Sequence, residues 1–180
     1  GKDANLFVAE KKFMIIDGEE IDLGRVGKVK KINTEIIETI TKSGYIPVIS
    51  PVAVDEDGNS YNINADYAAG ELAGALNADK FILLTNVRGV MRDINDPSSL
   101  YSKLYYNEVH KLMNGGIIVG GMLPKVEACM VAINAGVSRS HILDGRIKHS
   151  LLLEIFTDEG IGTMILSKTK EERLKKGSEN

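Results

Sequence analysis

The chain has 180 residues, 43% of them apolar and 26% charged, with a formal net charge of −3. That is enough chain for one domain with its own core, and so mild a charge argues against a nucleic-acid binder driven by a basic surface. A single cysteine, Cys129, excludes a disulfide framework and a zinc cluster and points to a reducing, cytoplasmic setting.

No apolar run reaches the ~18–20 residues of a membrane span, and no signal peptide is visible. The chain begins Gly1-Lys2-Asp3, without a methionine, as if something upstream had been removed. Leu6–Val8 and Phe13–Ile16 are short apolar runs on either side of Ala9-Glu10-Lys11-Lys12. The pattern predicts a hairpin there, with Asp17-Gly18 marking the next turn. Asp22–Lys28 is a glycine-punctuated loop or strand. It lacks the glycine spacing and the Lys-Ser/Thr end of a phosphate loop. Asn33 is suited to cap a helix over Thr34–Lys42, with Ile36, Ile37 and Ile40 inward and Gly44 as the stop. Tyr45–Ile49 reads as a short buried strand, and Asp55–Asn59 as a polar turn.

Tyr61–Asp66 leads into a second helix that lasts to about Leu76. Its alanines and glycines (Ala68, Ala69, Gly70, Ala73, Gly74, Ala75) suit close packing on a sheet, and Asn77 suits a left-handed closing residue. Phe81–Thr85 is the next strand. With Tyr45–Ile49 and the helix between, it predicts a parallel, right-handed βαβ unit. Asn86–Gly89 then follows a strand's C-terminal end, where ligands collect in open α/β sheets. Asp93–Ser99 is a polar loop. Asn107 is placed to cap a short helix ended by Gly115, and Ile117–Val119 is a brief apolar segment.

Next comes Gly120-Gly121-Met122-Leu123-Pro124-Lys125. Behind it Val126, Cys129, Met130 and Ile133 recur at i, i+3, i+4, i+7, one face of a helix that Gly136 closes. Lys125 falls in the first turn, where the helix dipole disfavours a cation by roughly 0.3–1 kcal/mol. It is either a solvated lysine or part of an anion site made with the glycine pair and free backbone N–H groups. Ser140–Leu143 reads as a strand, Asp144–Arg146 as a turn, and Ser150–Phe156 as a helix with Leu151, Leu152, Ile155 and Phe156 available for the core. Gly160–Thr163 is a tight loop, Thr163–Leu166 a final strand, Lys168–Lys176 a charged helix or tail, and Gly177–Asn180 a fraying end. No repeat or linker interrupts the chain.

Asn62, Asn64 and Asp66 alternate before a helix. One or two of them can serve as cap and turn residues; all three together also suit a site for a substrate carboxylate or amide, with Asp66 orienting a cation such as Lys125. His141, His149, Glu154, Asp158 and Glu159 lack the i, i+4 histidine pair of a helical metal site, so no metal ligand is assigned. There is no Gly-x-Ser-x-Gly, and Cys129 sits on an apolar face, which leaves a nucleophilic triad unsupported.

Five motifs in order carry more than any one of them. They are Tyr-Asn-Ile-Asn-Ala-Asp (61–66), Leu-Leu-Thr-Asn-Val-Arg-Gly-Val (83–90), Gly-Gly-Met-Leu-Pro-Lys-Val (120–126), His-Ile-Leu-Asp-Gly-Arg (141–146) and Leu-Leu-Leu-Glu-Ile-Phe-Thr-Asp-Glu-Gly-Ile-Gly-Thr (151–163). Together they resemble the N-acetylglutamate kinases of the amino acid kinase family, from Gly1 to about Ile165. The resemblance implies a mainly parallel open sheet flanked by helices, a three-layer αβα sandwich. Residues 1–167 would be the C-terminal ATP-binding domain and 168–180 a charged tail, with the family's N-terminal, substrate-binding half absent. ATP, with Mg2+, would phosphorylate the side-chain carboxylate of N-acetyl-L-glutamate to an acyl phosphate on the arginine pathway, by alignment and charge neutralisation.

In the terms of that resemblance, Lys125 stabilises the transferring phosphoryl group and Asp66 orients the lysines. Asn62 and Asn64 meet acetylglutamate. Asn86, Val87, Arg88, Gly89, Val90, Met91, Ile117, Ile118, Val119, Gly121 and Met122 line the nucleotide pocket. His141, Glu154 and Gly160 form a feedback site for L-arginine, with Glu154 on the guanidinium. Asparagine at 86 replaces the family's usual aspartate, keeping an acceptor and losing a charge. A second catalytic lysine belongs to the family's other half, so the chain alone is expected to bind nucleotide and turn over poorly. The resemblance also implies a homo-oligomer for the full-length protein, and some full-length relatives bind a PII-type signalling protein. An acetylaminoadipate kinase and a non-catalytic nucleotide- or arginine-binding module are the alternatives.

Overall fold

The structure is a computed structural model that describes residues 1–157 and 160–167. The expectations for Lys168–Lys176, Gly177–Asn180, Asp158 and Glu159 lie outside the described residues. Two sheets share the chain. The first joins β1 (Phe7–Ile16), β2 (Glu19–Ile32), β3 (Val52–Val54) and β4 (Ser60–Ile63) in a ring of pairings, β1–β2–β4–β3 and back to β1. The second has the order β5 (Lys80–Thr85), β7 (Arg139–Asp144), β8 (Thr163–Leu166), β6 (Lys103–Tyr105). In it β5 and β7 run parallel, as do β6 and β8, while β7 and β8 are antiparallel. The helices α1 (Glu35–Lys42), α2 (Ala65–Ala75), α3 (Tyr106–Asn114), α4 (Leu123–Asn134) and α5 (Ser150–Phe156) flank them, so the α/β class expected from the motifs holds.

Three local expectations change. Ala9–Lys12 makes no turn. β1 runs straight through it, and the hairpin reverses at Asp17-Gly18, with φ of 52° and 85°. Positive φ at both central residues gives the turn whose twist matches the flanking strands. Tyr45–Ile49 forms no strand. Tyr45, Ile46 and Val48 are exposed, Val48 at 97%. A β-branched run becomes a strand only where another strand takes its backbone groups, and none of the described strands does. The predicted βαβ unit is therefore absent, because β4 belongs to the ring and β5 to the second sheet. Helix α5 starts and ends as predicted, but Leu151, Leu152, Ile155 and Phe156 stay exposed.

Caps shift by a residue or two. Asn33 sends its amide to the Asn5 carbonyl at 2.9 Å and Thr34 takes the cap position of α1. Tyr105, not Asn107, precedes α3, its N–H bonded to the Glu108 carboxylate at 2.7 Å. Asn77, Gly44 and Gly136 do adopt the positive φ expected at helix ends.

Two cores result. One surrounds α4 and the β5–β7 sheet, with Val126, Cys129, Met130 and Ile133 all buried as their spacing predicts. The other fills the ring beneath α1. Helix α2 serves both: Ala68, Leu72 and Leu76 belong to the ring core, Ala69 and Ala73 to the sheet core. A helix apolar on two sides needs small residues, which explains its Ala/Gly composition.

Candidate active site

Helices α2 and α4 lie side by side and run the same way. The contacts climb together along both: Asp66 meets Lys125, Gly70 meets Ala128 and Gly74 meets Ala135. A Cβ on Gly70 would come within 2.6 Å of the Ala128 carbonyl oxygen, and one on Gly74 within 2.2 Å of the Ala135 Cβ. Because α2 leads by a short turn into β5, and α4 into β7, the two helix N-termini share an edge with the C-terminal ends of those parallel strands. Two positive helix ends thus point to one place, which favours an anionic ligand.

At that edge Lys125 Nζ lies 3.3 Å from Asp66 Oδ2, the side chains 23% and 27% exposed. The structure therefore brings the two predicted catalytic residues together, and the cation that opposes the α4 dipole has its counter-charge on α2. Asn64 caps α2, its Oδ1 accepting from Tyr67 N–H at 3.1 Å. The plainer capping role expected for one of the asparagines is the one it fills. Asn62 is exposed on β4, opposite Val26 and Val52, and borders an open hollow of about 610 Å³ with Arg25 and Asn59.

Beyond the β5 end lies a cleft of about 520 Å³, a size usual for small-molecule sites. Of the predicted nucleotide residues, Val87, Gly89, Val90, Met91, Ile117, Val119 and Met122 line it. Ile118 is buried in the core instead, and Asn86, Arg88 and Gly121 are exposed without lining it. The loop after β5 is rigidly held. Thr85 Oγ1 accepts from Val87 N–H at 2.9 Å, and Thr163 Oγ1 accepts from Val90 N–H at 2.8 Å. Gly89, at φ 151°, passes so close to Thr163 that a Cβ would lie 2.5 Å from its hydroxyl oxygen. Arg92, Asp93, Ile94 and Gly116 also line the cleft. The sequence did not single them out, though an isoleucine set among the polar residues of Asp93–Ser99 was an available signal. A larger hollow of about 750 Å³, around Asn33, Thr34, Glu35 and Thr39, contains none of the nominated residues.

On the opposite face of the second sheet, His141 Nδ1 meets Glu154 Oε1 at 2.7 Å, and Glu154 Oε2 accepts from Ile161 N–H at 2.8 Å. Gly160 closes the loop at φ 64°, where a Cβ would come 2.9 Å from Glu154 Oε2. All three predicted regulatory residues border one cleft of about 370 Å³, together with Lys80, Lys103 and Arg139, which the sequence did not single out. His141 Nε2 is buried without a partner among the described residues. His149 lies apart, at the start of α5, and among the described residues no three His, Cys, Asp or Glu side chains could hold a metal ion.

Asp144, at the end of β7, is buried and grips the Arg146 guanidinium with bonds of 2.9 and 2.7 Å. Those bonds, with the Arg146 N–H, hold its carboxyl down at about 2. Cys129 is fully buried, and that burial, with the Asp66 charge adding to it, pushes its thiol far up, the setting of a structural and not a reactive cysteine.

The model of the amino acid kinase family matches residues 4–144. The chain belongs to the amino acid kinase family. Among curated relatives, an acetylglutamate kinase of Methanococcus aeolicus is 54% identical over 169 residues, which is 92% of this chain and 58% of that protein. The acetylglutamate kinase of Pelotomaculum thermopropionicum is 56% identical with the same coverage. The chain thus spans somewhat over half the length of the curated relatives it matches. Among solved structures, N-acetylglutamate synthase from Neisseria gonorrhoeae, complexed with coenzyme A and L-arginine, superposes with a TM-score of 0.80 at 28% identity, over 92% of this chain and 37% of that one. Giardia lamblia carbamate kinase bound to AMP-PNP shares the fold, with a TM-score of 0.63 at 21% identity over 87% of this chain and 52% of its own.

Proposed function

We propose that the chain is the nucleotide-binding part of an acetylglutamate kinase, which transfers the γ-phosphoryl group of ATP to the side-chain carboxylate of N-acetyl-L-glutamate. The observation that carries the reading is the Lys125–Asp66 pair, 3.3 Å apart at the shared N-terminal edge of α2 and α4, beside the cleft of about 520 Å³. In such a transfer negative charge gathers on the moving phosphoryl oxygens, and the protein aligns and neutralises it. Lys125 would supply a mobile positive charge, Asp66 would aim it, and the helix ends would add N–H donors. Val87, Gly89, Val90, Met91, Ile117, Val119 and Met122, which line that cleft, would hold the base and ribose. Mg2+ would arrive on the nucleotide phosphates, as it usually does, held by few protein ligands. Asn62 is the asparagine free to meet acetylglutamate, since Asn64 is engaged as a cap.

Calorimetry with Mg-ADP tests the nucleotide part: saturable binding to the folded chain is expected, and a folded chain that takes up no nucleotide contradicts it. The transfer itself is read by acyl-phosphate formation from ATP and N-acetyl-L-glutamate once the rest of the kinase is supplied. Activity with acetylaminoadipate and not acetylglutamate would reassign the substrate.

A regulatory reading is favoured by the second cleft. Glu154 is a buried carboxylate beside His141, and Lys80, Lys103 and Arg139 border the same space. A carboxylate for a guanidinium and cations for an α-carboxylate suit free L-arginine, and the gonococcal synthase was crystallised with that ligand. L-arginine should raise the melting temperature of the chain, and Glu154→Gln should abolish the rise. An equal response in both would remove Glu154 from the site.

A further inference from the structure

Asp66 and Lys125 make a single, long contact. At 3.3 Å it exceeds the usual length of a charge-assisted hydrogen bond. A lysine carries its charge on a flexible four-carbon stem, and the dipole of α4 disfavours the cation at this end. Gly70 against Ala128 and Gly74 against Ala135 seat the later turns of α2 and α4 closely, which leaves the alignment of the two first turns to the contacts around Asp66 and Lys125.

The residues next to the pair make those contacts. Tyr67 follows Asp66, and Glu127 lies two positions after Lys125. The Tyr67 hydroxyl donates to the Glu127 carboxylate across the helix interface. Tyr67 is also fixed at its backbone, where Asn64 takes its N–H. The two links run in opposite senses: α4 donates to α2 through Lys125, and α2 donates to α4 through Tyr67. With Glu127 engaged by the phenol, Asp66 is left as the carboxylate that meets Lys125. Burial, with Glu127 beside it, pushes the Tyr67 hydroxyl up to about 12, so it stays a donor.

We propose that Tyr67 and Glu127 are positioning residues, a clamp that fixes the register of the first turns of α2 and α4 and thereby holds Lys125 against Asp66. The proposal deepens the reading of this edge as a phosphate site and rests on it for its functional meaning.

The test follows the Lys125 side chain by NMR in the chain labelled at lysine Cε and Nζ, its signal assigned by its loss in Lys125→Arg. Asp66→Asn sets the position of an unpaired Lys125. Tyr67→Phe and Glu127→Ala, which break the clamp from either side, should move the signal towards that position. Glu127→Gln, which keeps an acceptor for the phenol, should leave it near wild type. Circular dichroism confirms that each variant is folded. A Lys125 signal that stays at its wild-type position in folded Tyr67→Phe and Glu127→Ala overturns the clamp, as does one indifferent to Asp66→Asn. In calorimetry, Tyr67→Phe should weaken ATP about fivefold and leave adenosine unchanged. If the wild-type chain takes up no ATP, the nucleotide reading fails, while the Lys125 signal still judges the clamp.

Discussion

Cys129 shows how much a single side chain's surroundings decide. It lies fully buried on the inner face of α4, its thiol pushed up by that burial. A thiol reagent should leave it unmodified in the native chain and label it fully in denaturant; rapid native labelling would mean that α4 is not seated as described. Asp144 is the reverse case, a carboxyl held at about 2 against an ordinary 3.8 by Arg146. A depressed carboxyl supports the fold above its ordinary value, and that support is lost as pH falls through about 2. Arg146→Met frees the carboxyl to titrate higher, so acid unfolding followed by circular dichroism should begin at a higher pH. Superimposable acid transitions would show that the pair contributes nothing to the native state.

At the scale of elements, the α2–α4 contact is the one on which the site depends. Gly70→Ala would gain about 1 kcal/mol of helix propensity, but its Cβ would sit 2.6 Å from the Ala128 carbonyl oxygen. Overpacking of that kind costs about 1–3 kcal/mol, so the urea midpoint should fall; a higher midpoint would mean that the helices can part without cost. The helix reading survived best because helices carry local signals. The i, i+3, i+4, i+7 face of α4 and the Asn77 and Gly136 closures appear where the residues placed them, and the α2 cap falls on Asn64, one of the three polar residues Asn62, Asn64 and Asp66 among which the residue types alone did not choose. Strands carry fewer such signals, since their partners are distant in sequence. Nothing within Tyr45–Ile49 says whether a neighbour exists, and nothing within Phe7–Ile16 says that Glu10 to Lys12 stay extended. The pairing of Tyr67 with Glu127 was hidden for the same reason: it joins residues on two helices, and each alone reads as an ordinary amphipathic position.

At the scale of the whole molecule, two cores meet at α2, and the proposed chemistry sits at its first turn. The segments nominated from sequence for nucleotide binding mostly converge on one cleft, and His141, Glu154 and Gly160 on another. What joined them was the order of the motifs along the chain. What residue types alone could not separate was which side chains face a cleft and which turn into the core, as Ile118 does.

The central claim is that Lys125 meets the phosphates of a nucleotide. Calorimetric affinities for ATP and for adenosine, measured on the chain and on Lys125→Ala, test it most directly. An ammonium–phosphate contact is worth about 1.5–3 kcal/mol, or about 10- to 100-fold. ATP should bind the wild-type chain more tightly than adenosine, and Lys125→Ala should narrow that gap by about this factor while adenosine affinity holds. A gap that is the same in both proteins would contradict the account and leave Lys125 a surface lysine paired with Asp66.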